Sequence, residues 1–398
     1  MTLRNPARAP AGGPPGNGAP MSLTVDTDFP GGNACAIEIA PGVERGLVRF
    51  AADPHGGTEA LWFHLRVRGC QGSPVELVLT NVDSCLGSGA QWEAVRPVWR
   101  QEAGGWERLD GASLHTLDDG RHQASWVVQP TGPSFELALC YPYGPDDLAA
   151  TLDDCGTYWR QDAIGVTSGG RPLRRLSNPP GNVADAAPGV FIVARQHSGE
   201  TPGSWVLDGL LRRAAETVDP ADLVLWAIPF ANLDGVLEGD YGKDPFPHDL
   251  NRAWTRPHMR HEVGVLQRDL ARWTKRCRPA CVVDLHAPGA TEADGAYFHL
   301  PRASRPTESR EAARALAEAV LRHLPKELMR PEPLEQPTYA SRWRDDGTLG
   351  AYVWGTHGIP CLAMETPYTA SRDVVFTRDT YRQLGGALLD GVLGYLRR

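Results

Sequence analysis

His197 and Glu200 stand three residues apart in "ARQHSGETPGSWVLDGLL", where an apolar run ends and a helical pattern begins. Across a tight turn, which Gly199 helps to bend, both side chains can point to one side. An imidazole and a carboxylate so placed suit zinc, whose catalytic sites take three ligands from His, Asp or Glu and keep one position open. The third ligand has to come from elsewhere in the chain. His286 closes the apolar run "CVVDLH" as His197 closes "FIVARQH", so two strand ends can bring two imidazoles to one carboxylate. H-x-x-E alone is common, and it also fits a first-turn acid at a helix N-terminus beside a core histidine. His258 and His261 in "HMRHE" are donors by type, but their polar surroundings fit a solvated helix start.

The elements that must position these residues are legible from Asp146 onward. Apolar runs "GVFIVAR", "DLVLWAIP", "ACVVDLHA" and "GIPCLAME" alternate with helical patterns near 204–218, 262–275, 308–324 and 381–396. In the second helix Val263, Leu266, Leu270 and Trp273 share one face. Strands apolar throughout are usually covered by helices on both faces, so an α/β/α layered domain with a mixed central sheet is expected over 146–398. Sites in such sheets form where strands end at their carboxyl edges. Four ends matter: those at His197, at "FANLDG", at His286 and at Glu365.

Residues 21–145 have a different texture. Short runs with β-branched and aromatic residues, such as "GLVRFAAD", "ALWFHLRVRG", "PVELVLTNV" and "FELALCYPY", are split by Gly and Pro clusters. That pattern predicts a small antiparallel β-sandwich domain. Residues 1–20, rich in Pro, Gly and Ala and without an apolar h-region, read as a disordered tail or as sequence upstream of a start at Met21.

Composition narrows the function. The chain has 398 residues, 41% hydrophobic and 22% charged, with a net charge of −8 and acids and bases interspersed. That argues against a nucleic-acid or anionic-membrane surface. No stretch approaches the roughly 20 apolar residues of a membrane helix. The eight cysteines are dispersed, without a C-x-x-C pair, and fit reduced buried thiols in a cytoplasmic protein.

The stretch "IPFANLDGVLEGDYGKDPFPHDLNRAW" sharpens this picture. In order and spacing the motifs resemble the M14 zinc metallocarboxypeptidases, in particular the cytosolic carboxypeptidase-like subfamily with its bacterial members. Against that subfamily's "HPGETNSSW" this chain has "HSGETPGSW", and against "NPDGV" it has "NLDGV". "DLNRxW" is unchanged, "DLHA" stands for "DLHG", and a glutamate follows the late apolar run in "CLAMETPY". Upstream, "CYPYGPDDL" resembles the "CYPYTYSDL" that ends the subfamily's β-sandwich domain. The likeness runs from Met21 to the C-terminus.

The resemblance implies one zinc ion per chain, held by His197, Glu200 and His286. It makes Asp249 the carboxylate that orients the first histidine, and Asn251 with Arg252 the grip on a substrate's terminal carboxylate. Glu365 becomes the general base. The implied reaction is hydrolysis of the C-terminal amide of a peptide or protein by an activated water. An alternative with the same metal is a deacylase for N-acyl amino acids or other carboxylate-bearing small amides. A non-enzymatic scaffold would be expected to lack a ligand or the base, and both are present. The match departs in two places. Gly242 stands where the subfamily often has a carbonyl-polarising arginine, which leaves Lys243 as the candidate electrophile. In "DDGTLGAYVW" Gly350 holds an arginine position, so the deglutamylating specificity of the eukaryotic relatives does not carry over; Arg342 and Arg344 are the nearby basic residues.

Overall fold

Period-two burial builds the N-terminal half. In Gly46–Ala51, Val48 and Phe50 are buried while Leu47 and Arg49 are half-buried, as a strand with one core face requires. The computed structural model describes residues 22–40, 42, 45–70, 72–87, 89–102, 104–178, 187–243, 247–255, 257, 259–338 and 347–398. The expected tail, His258, Arg342 and Arg344 lie outside the described residues. Two five-stranded sheets form here. One runs Thr24–Asp26, His64–Arg68, Ser134–Ala138, Val98–Gln101, Glu107–Arg108. The other runs Cys35–Ala40, Gly46–Ala51, Val75–Leu79, His122–Val128, Ser113–Thr116. Phe50, Leu65, Leu77, Trp126 and Phe135 from both sheets belong to one buried cluster. One pairing differs from the antiparallel expectation: Gly46–Ala51 and Val75–Leu79 run parallel, because the segment between them crosses to the other sheet as His64–Arg68 before returning.

Helix α1 (Pro145–Asp154) leads into an eight-stranded sheet. Its strands are numbered β1 (Arg160–Val166), β2 (Pro172–Ser177), β3 (Pro188–Ala194), β4 (Val224–Ile228), β5 (Arg278–His286), β6 (Ala296–His299), β7 (Met329–Glu335) and β8 (Cys361–Glu365). The order across the sheet is β1-β2-β4-β3-β5-β8-β6-β7. The centre, β4-β3-β5-β8, is parallel, and β1, β2 and the β8–β6 pair are antiparallel. The mixed central sheet is as expected. Helices are α2 (Thr201–Thr217), α3 (Leu233–Glu238), α4 (His261–Trp273), α5 (Thr307–Leu321), α6 (Leu349–His357) and α7 (Arg378–Leu396). Cys281, Val283, Leu285, Leu362 and Met364 face the α2/α7 side. Phe191, Val193 and Val282 face α4 and α6, against Leu266, Leu270 and Val353. Among the described residues, no helix is long and apolar enough to cross a membrane.

Candidate metal centre and catalytic cleft

The turn after β3 is fixed from beneath. Arg195 adopts a left-handed backbone, φ 59°. Its buried guanidinium donates from Nε to the Ser198 carbonyl at 2.7 Å, with Nη2 on the same oxygen. Nη1 donates to the Tyr143 carbonyl at 2.9 Å and to Ser204 Oγ at 3.1 Å. Gly199 N donates to the Tyr241 carbonyl at 2.9 Å. A Cβ on Gly199 would lie 2.9 Å from Trp62 Cβ and 3.0 Å from Tyr241 Cδ2, so only glycine fits between them.

Glu200, at the N-cap of α2, turns its carboxylate away from the helix. Oε1 lies 2.8 Å from His197 Nδ1 and Oε2 lies 2.8 Å from His286 Nδ1. All three residues are at most 3% exposed. Burial alone would raise the Glu200 carboxyl; the two imidazoles outweigh it and hold it far below the usual range. These three residues are the one group of His, Cys, Asp or Glu side chains among the described residues whose ligand atoms converge, all within 4.8 Å of one another. His261, the other donor considered, is the exposed first residue of α4. All eight cysteines are free thiols.

Both imidazoles are braced from behind. His197 Nε2 lies 3.3 Å from Asp249 Oδ1, which also accepts from Asn251 N at 2.7 Å. His286 Nε2 lies 3.1 Å from Asp284 Oδ2 and 3.0 Å from Asn251 Nδ2. Carboxylate oxygens accept at both ring nitrogens, Asp284 at Nε2 and Glu200 at Nδ1, so the ring carries a proton on each, and a metal ion would take the place of the Nδ1 proton. Asp284 Oδ1 accepts from Gln196 Nε2 at 2.7 Å, and Gln196 Oε1 accepts from Trp254 Nε1 at 2.7 Å. Carboxylates behind ligating histidines fix the tautomer and raise ligand basicity. The donor set, its burial and its bracing fit a zinc ion. Asp284, Gln196 and Arg195 escaped the sequence reading, although residues two apart on a strand share a face and "DLH" carried that signal for Asp284.

Glu365 ends β8 opposite His286. Oε2 is buried and has no hydrogen-bond partner among the described residues; Oε1 lies 3.4 Å from His299 Nε2. Burial raises its pKa to about 7, with His286 opposing and Glu200 adding. Lys243 Nζ stands 3.9 Å from Glu200 Oε1. Burial would lower its pKa, but Glu200 and Glu365 more than offset this and keep the amine charged. Gly242, φ 80°, leaves no room for a side chain: a Cβ there would sit 2.3 Å from Ser198 Oγ. Arg252 donates from Nη1 to the Asn251 carbonyl at 3.1 Å, while its buried Nε has no hydrogen-bond partner among the described residues. The Asn251 amide is anchored through Oδ1, which accepts from Leu349 N at 3.0 Å. His197, His286, Glu365, Lys243, Asn251 and Arg252 open into one cavity of about 740 Å³, to which Glu59, Leu86 and Gly87 of the N-terminal half also contribute.

A family model described as the cytosolic carboxypeptidase N-terminal domain matches residues 25–139. Cytosolic carboxypeptidase 6 of Caenorhabditis elegans is 22% identical over 262 residues, covering 61% of this chain and 56% of that protein. Cytosolic carboxypeptidase 2 of Xenopus tropicalis is 27% identical over 230 residues, 48% of this chain and 23% of that protein. The chain is a relative of the cytosolic carboxypeptidases. It spans about half of the nematode relative and a quarter of the frog one. Among solved structures, a metallo-carboxypeptidase from Burkholderia cenocepacia superposes with a TM-score of 0.76 at 20% identity, over 95% of this chain and 99% of that one. The M14-type carboxypeptidase fold, expected from the family's motifs, is thus present along nearly the whole chain.

Proposed function

We propose that the chain is a zinc-dependent metallocarboxypeptidase that hydrolyses the C-terminal amide bond of peptides or proteins. The observation that carries this reading is the convergence of His197, Glu200 and His286 beside a buried carboxylate, Glu365, whose Oε2 is uncommitted. A zinc ion held by the three residues would supply Lewis-acid polarisation and an acidified water.

The chain's own groups would do the rest. Arg252 presents a fork that suits a terminal carboxylate and sets the substrate's last residue against the metal centre. Glu365 Oε2 takes the proton from the attacking water and returns it to the departing amine. Lys243, charged and beside Glu200, offers a point of positive charge to the oxygen that gains charge in the transition state. Asp249 and Asp284 hold the two imidazoles in one tautomer. Residues 21–145 and 146–398 act together as two domains of one enzyme, and the names of the relatives support action in the cytoplasm.

The test is direct. Zinc-loaded full-length protein should release the last residue from peptides and leave amidated peptides intact, because amidation removes the group that Arg252 holds. Release from N-acyl amino acids with none from peptides would favour the deacylase. Turnover by protein stripped of metal would overturn both.

A further inference from the structure

We infer that His55 is a positioning residue for the proposed reaction: it reaches from the N-terminal half to Asp240 and thereby sets Lys243 beside the metal centre. This rests on the carboxypeptidase reading above and names a further residue on which its transition state depends.

The loop that carries Lys243 has two walls. It starts at Gly239, the C-cap of α3. On its inner side lies the turn of the metal centre. Ser198 Oγ donates to the Asp240 carbonyl at 3.1 Å, and Gly199 N donates to the Tyr241 carbonyl at 2.9 Å. On its outer side lie two segments of the N-terminal half. Gly31 N donates to the Leu237 carbonyl at 2.9 Å, and Asn33 Nδ2 donates to the Gly239 carbonyl at 2.7 Å. A Cβ on Gly57 would lie 3.5 Å from the Lys243 carbonyl oxygen, so the chain at Gly57 backs directly on that residue. These contacts grip the main chain of the loop. His55 adds a grip on one of its side chains: Nδ1 stands 2.5 Å from Asp240 Oδ1.

His55 holds an unfavourable backbone to make this contact. Its φ is 45°, in the left-handed region, although Gly56 and Gly57 follow it. That conformation is costly for an L side chain and free for glycine. The turn is pinned in this form. His55 N donates to Asp53 Oδ1 at 2.9 Å, and Asp53 N donates to Asn33 Oδ1 at 2.8 Å. Asp240 raises the pKa of the imidazole, with Asp53 and Glu238 adding and burial opposing, which favours the charged form.

The pair does little for folding. Its side chains are 32% and 25% exposed, and ion pairs open to solvent contribute little to stability. A strained residue whose contact ties two halves together beside a reacting centre serves placement rather than stability. The effect is felt three residues on. Lys243 Nζ lies 3.9 Å from Glu200 Oε1, with only Tyr241 and Gly242 between Lys243 and Asp240. A shift of Asp240 is passed to an amine whose value in the transition state depends on its distance from the reacting oxygen.

The test uses zinc-loaded full-length protein and one peptide. His55→Gly removes the side chain and suits the left-handed backbone, so the melting temperature should hold or rise. kcat should fall roughly tenfold, within the roughly 10² expected for loss of Lys243 itself, with KM and zinc content unchanged. Asp240→Ala should match this loss, and Asp240→Asn, which keeps an acceptor for Nδ1, should recover most of it. In a Lys243→Met background His55→Gly should change kcat by less than about twofold, because the two residues act as one unit. Reductive methylation read by mass spectrometry needs no turnover: Lys243 should be modified faster in His55→Gly than in the wild type, while Lys275 keeps its rate. An undiminished kcat in His55→Gly, the same loss on top of Lys243→Met, unaltered methylation of Lys243, or lost zinc would overturn this inference alone. Wild-type protein that cleaves no peptide would overturn the carboxypeptidase reading and this inference with it.

Discussion

His286 and Glu365 face each other as register partners on neighbouring parallel strands, with both side chains on the α6 side of the sheet. One pairing therefore sets the proposed ligand and the proposed base at a fixed separation, without any loop between them. Rigid elements hold catalytic groups more tightly than loops do. Glu365→Gln keeps the shape and removes the base. It should lower kcat by roughly 10²- to 10⁴-fold while zinc stoichiometry, measured by elemental analysis, stays at the wild-type value.

Asp284 should matter through the metal. Asp284→Asn leaves His286 with a weaker acceptor behind it. Zinc affinity, read by competition with a chromogenic chelator, should fall roughly 10- to 100-fold. Activity at saturating zinc should recover more fully than in Glu365→Gln.

Lys243 and Gly242 should separate cleanly. Lys243→Met removes one charge near the reacting centre and should cost roughly 10² in kcat, with an unchanged melting temperature. Gly242→Ala combines φ 80° with a clash against Ser198. It should cost about 1–3 kcal/mol and lower the melting temperature of the whole chain.

His299 Nε2 lies 3.4 Å from Oε1 of Glu365, the proposed base. Burial, then Lys243 and other nearby cations, lowers its pKa to about 3, so it is neutral. His299→Leu should lower kcat by roughly tenfold or more, with KM nearly unchanged, and His299→Gln should recover part of the loss, because an amide can still donate. Steady-state kinetics on one peptide decides this.

Acid sensitivity should arise in the sandwich. Glu136 meets His64 Nε2 at 3.0 Å, Arg66 Nη2 at 3.0 Å and Arg100 Nη2 at 3.1 Å. Burial raises its pKa, but His64 and the two arginines prevail and hold it at about 2, against an ordinary value of 4.5. The folded value is depressed, so the stabilisation is complete above the ordinary value and is lost as pH falls toward the folded one. Glu136→Gln should lower the melting temperature at neutral pH, and that gap should close progressively below about pH 4.5.

The ends at His197, His286 and Glu365 were legible because each follows or closes an apolar run, and a strand end is a place a sequence can mark. Their relative positions across the sheet were not, since strand order is set by long-range pairing. Asp284 was missed inside a run read as buried strand, where a carboxylate signals nothing until the facing imidazole is known. The hairpin β1–β2 was also missed. Its sequence "RQDAIGVTSGGRPLRRLS" is polar at alternate positions because it lies at the sheet edge, with Arg160, Gln161 and Arg174 exposed. Helix α1 lay within a stretch read only for its resemblance, although Pro145 and two acids in its first turn mark a helix start. His299 sits on a four-residue strand too short for periodicity to reveal.

Trp62 comes from the leading half of the chain, yet it occupies the space that denies Gly199 a side chain. The bend bearing His197 and Glu200 is thus moulded against a surface folded from sequence more than a hundred positions upstream. Transplanting the trailing half onto a foreign partner would need the same backbone course at that spot, because Trp62 meets Gly199 through its Cβ. A foreign leading half that shifted this stretch of backbone would disturb the bend from a distance.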